Sequence, residues 1–296
     1  MPPAPIRPAR LHGRVFRGSA VLREGWLTRG QLRSSAWQRV FPDVYACSTL
    51  DVTHRVRTVA AVRVLLPGAV ASGHSAGVWW GADLAGPDDV VDCTLPPGAH
   101  HGGIDGVRLR RRRLAPEDVV TWWGLAVTSP VRTVLDLAAL RPPDEAVVAV
   151  DRFLRLGRVS LADARAAGER LVGRDCRLVR SALARADGLA ESPQETRLRL
   201  ILHAAPLPRP VAQYVVLDAG GRFVARVDLA WPEHRLAVEY EGTWHGQPQQ
   251  VARDRARLNR LTAAGWRVVF VTAADLHREA ELVARICAAL GAPRSA

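Results

Sequence analysis

The stretch "RVDLAWPEHRLAVEYEGTWHG", residues 226–246, combines the apolar character of buried strands with three carboxylates. Apolar runs on either side of Pro232 predict two strands joined by a tight turn. Asp228 lies in the first predicted strand, and Glu239 and Glu241 lie in the second. Because burying an ionised carboxylate is costly, the chain needs a reason for placing these side chains there.

The carboxylates need a positive partner. Side chains alternate along a strand, so Glu239 and Glu241 share one face, where two ionised groups repel each other. The chain has no lysine, and Arg226 is the only nearby cation on the same strand parity as Asp228. A divalent metal is the simplest compensation, and oxygen ligands favour Mg²⁺ or Mn²⁺ over zinc. A hard cation in a basic protein predicts hydrolysis of phosphodiester bonds through a metal-activated water.

The region around this stretch, residues 189–296, has the pattern of one α/β (α+β) domain. Ser192 is predicted to cap a helix that starts at Pro193, with Glu195 completing a capping box. Three strands follow, then a helix that ends at Gly265, a buried strand "WRVVFVT" and one closing helix "AADLHREAELVARICAAL". The predicted order is α-β-β-β-α-β-α.

This pattern, Asp-(x)10-Glu-x-Glu on a strand pair inside α-β-β-β-α-β, resembles the PD-(D/E)XK nuclease superfamily, whose fold is restriction-endonuclease-like. The resemblance implies that Asp228 and Glu239 are metal ligands and that Glu195 is the additional acid of the preceding helix. Glu241 stands where the family usually has lysine, as in some restriction endonucleases. It would add a ligand or act as the general base.

The segments "TWHG" and "VARDRARLNRLTAAGWRVVFV" resemble the very-short-patch-repair endonucleases and a related uncharacterised family. By that resemblance His245 and Asp254 join the catalytic site. His245 would transfer a proton or hold a water, and Asp254 would orient it.

Each of these residues also has a structural interpretation. Glu195 would then only cap its helix, Asp254 and Arg257 would form a surface ion pair, and His245 would be a packed loop residue. A structural role for Asp228 together with both glutamates is the hardest of these alternatives to support.

Residues 1–75 predict short helices followed by a hairpin, a winged-helix-like module. Thr28 and Gln31 form a capping box in "LTRGQLRSSAW", and "RVFPDVYACS" predicts two strands around Pro42. The segment resembles the N-terminal module of AbiEi-type antitoxins, which are transcriptional regulators. Between Arg33 and the hairpin only about one and a half helical turns remain, which is short for a recognition helix.

Residues 76–188 predict a mixed α/β middle region. "VVDCTL" and "GVRLRRRRL" have strand character, and Ser129 opens the helix "SPVRTVLDLAAL". The "TSPVRTVLDLA" pattern is again similar to AbiEi-like regulators. The densest basic run predicts either a charged sheet edge or a nucleic-acid contact. With Arg226, the candidate nucleic-acid-binding residues are Arg108, Arg110, Arg111, Arg112 and Arg113.

The composition sets the remaining expectations. The formal net charge is +12, with all 41 basic residues being arginine, and residues 1–190 hold 27 arginines against 18 acidic residues. No apolar run suits a membrane span, no secretory signal opens the sequence, and the four distant cysteines predict neither zinc site nor disulfide framework. We therefore expect a cytoplasmic metal-dependent endonuclease that acts on DNA, with RNA substrates and a homodimer left open. The alternative is a DNA-binding regulator or antitoxin with a non-catalytic nuclease fold.

Overall fold

The computed structural model describes residues 7–242 and 248–291, except for the side chains of residues 248–252 and 254. Within this part, the chain is an α+β protein with three separate β-sheets. It divides into two compact units, and each unit is discontinuous in sequence. Unit 1 comprises residues 1–140 and 156–180, and unit 2 comprises residues 141–155 and 181–296.

Unit 1 begins with a strand, followed by the short helices and the hairpin that the sequence predicts. These elements are β1 (Val15–Arg17), α1 (Gly18–Arg23), α2 (Arg29–Leu32), β2 (Trp37–Phe41) and β3 (Val44–Cys47). The three strands form one sheet in the order β1-β3-β2, with antiparallel neighbours. The predicted capping box between Thr28 and Gln31 is present, and the predicted hairpin turns at Pro42 and Asp43. Helix α2 has only four residues.

The rest of unit 1 is built on a five-stranded sheet. The next elements along the chain are α3 (His54–Val59), β4 (Val70–Ala71), α4 (Gly73–Trp80), β5 (Val91–Leu95), β6 (Val107–Arg111), β7 (Val119–Trp122), β8 (Leu125–Thr128) and α5 (Pro130–Ala138). The strand order is β6-β5-β4-β8-β7, so the basic strand β6 is an edge strand. Helix α3 continues as a π-helix, Ala60–Leu65, which we call the π segment.

Unit 2 contains the α-β-β-β-α-β order that the sequence predicts. The remaining helices are α6 (Pro143–Leu154), α7 (Leu161–Arg170, in unit 1), α8 (Cys176–Arg185, of which residues 181–185 belong to unit 2), α9 (Pro193–Ala204), α10 (Pro248–Ala263), α11 (Ala273–Leu276) and α12 (Glu279–Gly291). The strands are β9 (Val211–Leu217), β10 (Phe223–Trp231), β11 (Leu236–Tyr240) and β12 (Arg267–Val271). They pair in the order β12-β11-β10-β9, antiparallel except for β11 and β12.

Apolar side chains cover both faces of the unit 2 sheet, because strand residues alternate between the faces. Leu236 and Val238 of β11 pack in one cluster with Leu198 of α9 and Leu282 of α12. Ala237, between them in sequence, packs in a second cluster that contains Leu261 of α10. Strands β10 and β11 are therefore held between helices, and polar groups on them are removed from water.

Several predicted details of unit 2 are wrong. The closing helix is two helices, α11 and α12, with the break at His277 and Arg278. Strand β12 lies at the sheet edge and is only partly buried, with Phe270 exposed. The carboxylate of Glu195 accepts the amide of Glu191 rather than that of Ser192, so the capping box lacks its second half.

A buried ion pair joins helix α6 to the rest of unit 2. Asp151 of α6 accepts a hydrogen bond of 2.6 Å from Arg199 of α9 and one of 3.0 Å from Thr196. The amides of Asp187 and Gly188 donate to its other oxygen. Burial raises the pKa of Asp151, and the Arg199 guanidinium opposes that shift. The predicted segment 189–296 therefore lies within unit 2, which also contains residues 141–155.

Candidate carboxylate site

Asp228 and Glu239 lie on adjacent strands at the centre of the unit 2 sheet. Leu229 pairs with Val238, and continuing this antiparallel register by one residue places Asp228 opposite Glu239. The amide of Tyr240 donates a hydrogen bond of 2.9 Å to Asp228 Oδ2. The sequence-predicted ligands on β10 and β11 are thus brought together by the register of one strand pair.

Asp228 has an unusually high proton affinity for a carboxyl group. Burial is the main cause, the Glu195 carboxylate is the next, and the Glu239 carboxylate contributes in the same direction. Together they raise the pKa of Asp228 from 3.8 to about 7, although the Tyr240 amide and the Arg257 charge lower it. Glu195 therefore lies close enough to Asp228 for its negative charge to raise the pKa of Asp228.

Glu239 is buried with one of its oxygens in use and the other without a partner. Arg257 of α10 donates to Oε2, and the same guanidinium donates to the carbonyl of Arg226 at 2.7 Å. Oε1 is buried and has no hydrogen-bond partner among the residues that the structure describes. Since a buried acceptor without a donor is costly, this atom is the clearest candidate for binding something that the protein does not provide.

Glu195 approaches the site from α9. Its Oε2 atom accepts the Glu191 amide at 2.7 Å and the side-chain amide of Gln213 at 3.1 Å. Glu195, Gln213 and Asp228 line a cavity of about 10 Å³, together with Arg199. That volume has room for about one water-sized particle.

The structure places the other predicted catalytic residues as follows. Glu241 follows the end of β11, is half-buried, and its amide donates to the carbonyl of Val271 at 2.7 Å. His245 and the side chain of Asp254 lie outside the described residues.

The cation that neutralises the site comes from α10 and not from β10. The sequence suggested Arg226 as the nearby cation, but Arg226 pairs with Glu191. Arg257, which the sequence analysis considered only in an alternative surface pair with Asp254, contacts Glu239. Sequence reasoning also missed Gln213, whose positive φ of 50° within β9 had no sequence signal.

The residues present suit a small hard cation. Asp228, Glu239 and Glu195 offer only oxygen ligands, and Glu239 Oε1 is unpartnered within the described part of the chain. Among the described residues no group of three or more His, Cys, Asp or Glu side chains is arranged to hold a metal. Mg²⁺ does not need such a group, because it is usually bound by one or two carboxylates, waters and substrate phosphates.

The basic run on β6 serves mainly local contacts. Arg108 donates to buried Asp92 at 3.1 Å, and Arg112 donates to buried Asp136 at 2.5 Å. Arg111 donates to the carbonyl of Ala99 at 3.1 Å. These bonds tie the edge strand to its neighbours.

The two other members of the run differ from each other. Arg110 lies close enough to Asp92 for its charge to affect the pKa of that carboxyl. Burial raises the pKa of Asp92, but a hydrogen bond from His74 and the charges of Arg110 and Arg108 outweigh burial, so the pKa is lower than usual. Arg113 follows β6 and is exposed. Of the run, Arg113 is therefore the residue most available for a nucleic-acid contact.

Comparison with known proteins finds two relatives of nearly the same length. They are the uncharacterised proteins MT2308 and Rv2248 from two strains of Mycobacterium tuberculosis, each 33% identical over 270 residues. The match covers 90% of this chain and 97% of each relative. No family model matches the chain.

Among solved structures, the crystal structure of the RV2827C protein from M. tuberculosis aligns with a TM-score of 0.38 and 15% identity. The alignment covers 69% of this chain and 83% of that one.

Proposed function

We propose that this chain, which belongs to the same protein family as the two M. tuberculosis proteins, is a metal-dependent endonuclease that hydrolyses DNA phosphodiester bonds. The observation that carries the proposal is the buried carboxylate group on β10 and β11. Asp228 and Glu239 lie on adjacent strands, close enough for the Glu239 charge to raise the pKa of Asp228, Glu195 approaches from α9, and Glu239 Oε1 has no hydrogen-bond partner among the described residues. A purely structural role explains Glu239 Oε2, which binds Arg257, but does not explain these other features.

In this proposal Asp228 and Glu239 hold Mg²⁺ or Mn²⁺. The ion would polarise a phosphoryl oxygen and lower the pKa of a bound water. Asp228 must be ionised to bind it, and its pKa of about 7 means that the cation and a proton compete for the same group. Arg257 neutralises one glutamate oxygen and keeps Glu239 fixed against α10.

The proton-transfer groups remain those that the resemblance implies. Glu241 is half-buried at the end of β11, one strand period beyond Glu239, and is our candidate for an added ligand or the general base. His245 and Asp254 keep the roles of proton transfer and orientation. Glu195 supports the site through its charge and through Gln213.

Net charge supports a polyanionic substrate. The formal charge of +12 gives a general attraction to nucleic acid, and phosphate contacts need only arginine and backbone donors. We propose DNA in the cytoplasm as the substrate, with RNA as the variant to be tested beside it and homodimerisation as a further possibility for cutting both strands. No helix within the described ranges is both long and apolar enough to cross a membrane.

The second candidate is a DNA-binding regulator of the AbiEi type. The helices and hairpin of residues 15–47 support it, because they have the outline of a winged helix-turn-helix. The four-residue helix α2 argues against it, since one turn presents too few side chains to a major groove. Regulation predicts sequence-specific binding that survives chelation, whereas hydrolysis predicts strict metal dependence.

The test is cleavage of supercoiled and linear DNA, and of RNA, by the purified chain with Mg²⁺ or Mn²⁺. Asp228→Asn and Glu239→Gln remove one charge each without changing side-chain size, and Asp218→Asn, on the exposed β9–β10 turn, is the matched control. We expect cleavage by the wild type and by the control, and none by the other variants or with EDTA. Intact substrates together with no heat of metal binding in calorimetry would refute the proposal.

A further inference from the structure

The hairpin of β7 and β8 ends in an exposed tryptophan with an unfavourable backbone conformation. Trp122 pairs with Leu125, so Trp123 and Gly124 alone form the turn. Their φ values are 48° and 71°, the signs required by a type I′ turn. Such turns favour Asn-Gly, because bulky side chains are strained in the left-handed region. Trp123 is 77% exposed, so packing gives no reason for its presence.

The hairpin tip is fixed to the π segment. Arg63 of that segment donates to the carbonyl of Gly124. Arg17 in turn donates to the carbonyls of Val64 and Leu65, at 2.9 Å each, and so holds the irregular helical turn. π-helical turns occur frequently at functional sites. The exposed ring is thus presented by a well-supported local structure.

Beside the tip, Arg63 also lines a groove of about 490 Å³ in unit 1. Arg14 and Arg55 line the same groove, and all three arginines are exposed. The guanidinium of Arg55 lies over the ring of Trp79, 5.8 Å from its centroid. The groove therefore combines apolar walls with positive charge.

We infer that this surface binds an unpaired DNA strand, with Trp123 stacked on a base and Arg14, Arg55 and Arg63 contacting phosphates. Single-strand sites in proteins combine these two elements, a basic groove and a stacking ring. A single strand fits better than a duplex because paired bases are already stacked and leave no face for the ring. The inference rests on the proposed function, because it identifies a contact for the proposed substrate that unit 1 provides.

Two variants separate stacking from folding. Trp123→Asn removes the ring and creates the Asn-Gly pair that the turn prefers, whereas Trp123→Phe keeps an aromatic face. Binding is measured with the full chain in EDTA, by fluorescence anisotropy of a labelled oligothymidine and of a matched duplex. We expect Trp123→Asn to weaken single-strand binding about fivefold to a hundredfold, and Trp123→Phe to stay close to wild type. The thermal midpoint of Trp123→Asn should equal or exceed that of the wild type, which excludes misfolding as the cause.

The arginines give an independent readout. Arg14→Gln and Arg55→Gln should each reduce the slope of log affinity against log salt by about 0.7, the value for one phosphate contact on a single strand. Trp123→Asn should leave this slope unchanged, because stacking releases no counterions.

Other outcomes would overturn the inference. These are equal oligothymidine binding by the wild type and Trp123→Asn, or no binding by either. Binding to phosphatidylglycerol vesicles that depends on Trp123 while DNA binding does not would assign the ring to a membrane surface instead. Cleavage assays distinguish the two proposals: if the wild type cuts neither DNA nor RNA but binds oligothymidine in a Trp123-dependent way, the nuclease assignment fails while the stacking surface stands.

Discussion

Replacing Asp228 with asparagine is expected to stabilise the protein at alkaline pH and to leave its stability unchanged in acid. The folded-state pKa of Asp228 is about 7, whereas the unperturbed value is 3.8. Between these values the folded protein holds a proton that the unfolded chain has released. The wild-type free energy of unfolding therefore falls as pH rises through this window and stays low above it. Asparagine has no charge to bury, so the variant lacks this loss.

The magnitude follows from the size of the pKa shift. At about 1.36 kcal/mol per pKa unit, the difference between 3.8 and about 7 corresponds to about 4 kcal/mol. The Tyr240 amide loses a charged acceptor in the variant, which offsets part of this gain. We expect a net stabilisation of about 2–4 kcal/mol above about pH 8, decreasing towards zero near about pH 4.

The assay is urea unfolding of both proteins in metal-free buffer, from about pH 4 to about pH 9, followed by circular dichroism. Asp218→Asn is the control with the opposite sign. Asp218 accepts amide hydrogen bonds from Arg222 and Gly220 that lower its pKa below 3.8, so its variant should be less stable than the wild type by a constant amount across this pH range. A constant difference between Asp228→Asn and wild type across the pH range would show that Asp228 is not a proton-holding carboxyl in the folded protein. The reasoning about the site would then be refuted.

Three further substitutions test the contacts around the site, each measured by urea unfolding. Arg257→Met leaves Glu239 buried without its arginine partner and should lower the free energy of unfolding by about 2–3 kcal/mol. Adding Glu239→Gln removes the buried charge and should restore part of that loss of stability. Asp151→Asn leaves buried Arg199 with Asp187, 3.0 Å away, as its remaining carboxylate partner and should lower the free energy of unfolding by about 1–3 kcal/mol. Equal loss in Arg199→Met would argue for the pair, and additive losses in the double variant would argue against it. Ser192→Ala removes the N-cap of α9 and should cost about 1 kcal/mol, whereas no loss would show that the cap is not formed in solution.

Much of the fold could be predicted because its signals are local. The caps at Thr28, Ser129 and Ser192 each depend on residues within three or four positions, and all three accept the predicted amide hydrogen bonds. The placement of Asp228 and Glu239 on two neighbouring strands was also accessible, because the apolar pattern of two consecutive strands and a short turn predicts an antiparallel pair. Helices α4 and α12 show the limit of this approach. Trp-rich α4 has no clear amphipathic period, and the break before α12 lacks a glycine or proline.

The compensation of charge at the site could not be predicted in the same way. Arg257 is one of 41 arginines, and its contact with Glu239 depends on how α10 packs on the sheet. Arg199 likewise pairs with Asp151, 48 positions earlier in the chain. With one type of cation spread along the whole sequence, position alone does not identify which arginine neutralises which acid. Only the packed structure makes that choice.

The course of the chain through α6 determines how this protein can be divided by recombination or proteolysis. Residues 141–155 belong to unit 2, but the chain returns to unit 1 for residues 156–180 before it completes unit 2. A fragment that begins at residue 189 lacks Asp151 and leaves Arg199 as an unpaired buried cation. Such a fragment contains every candidate carboxylate and still lacks part of its own folding unit. The carboxylate-bearing unit can therefore be transferred to another protein only together with residues 141–155. An end-to-end gene fusion that starts at residue 189 would not transfer a complete folding unit.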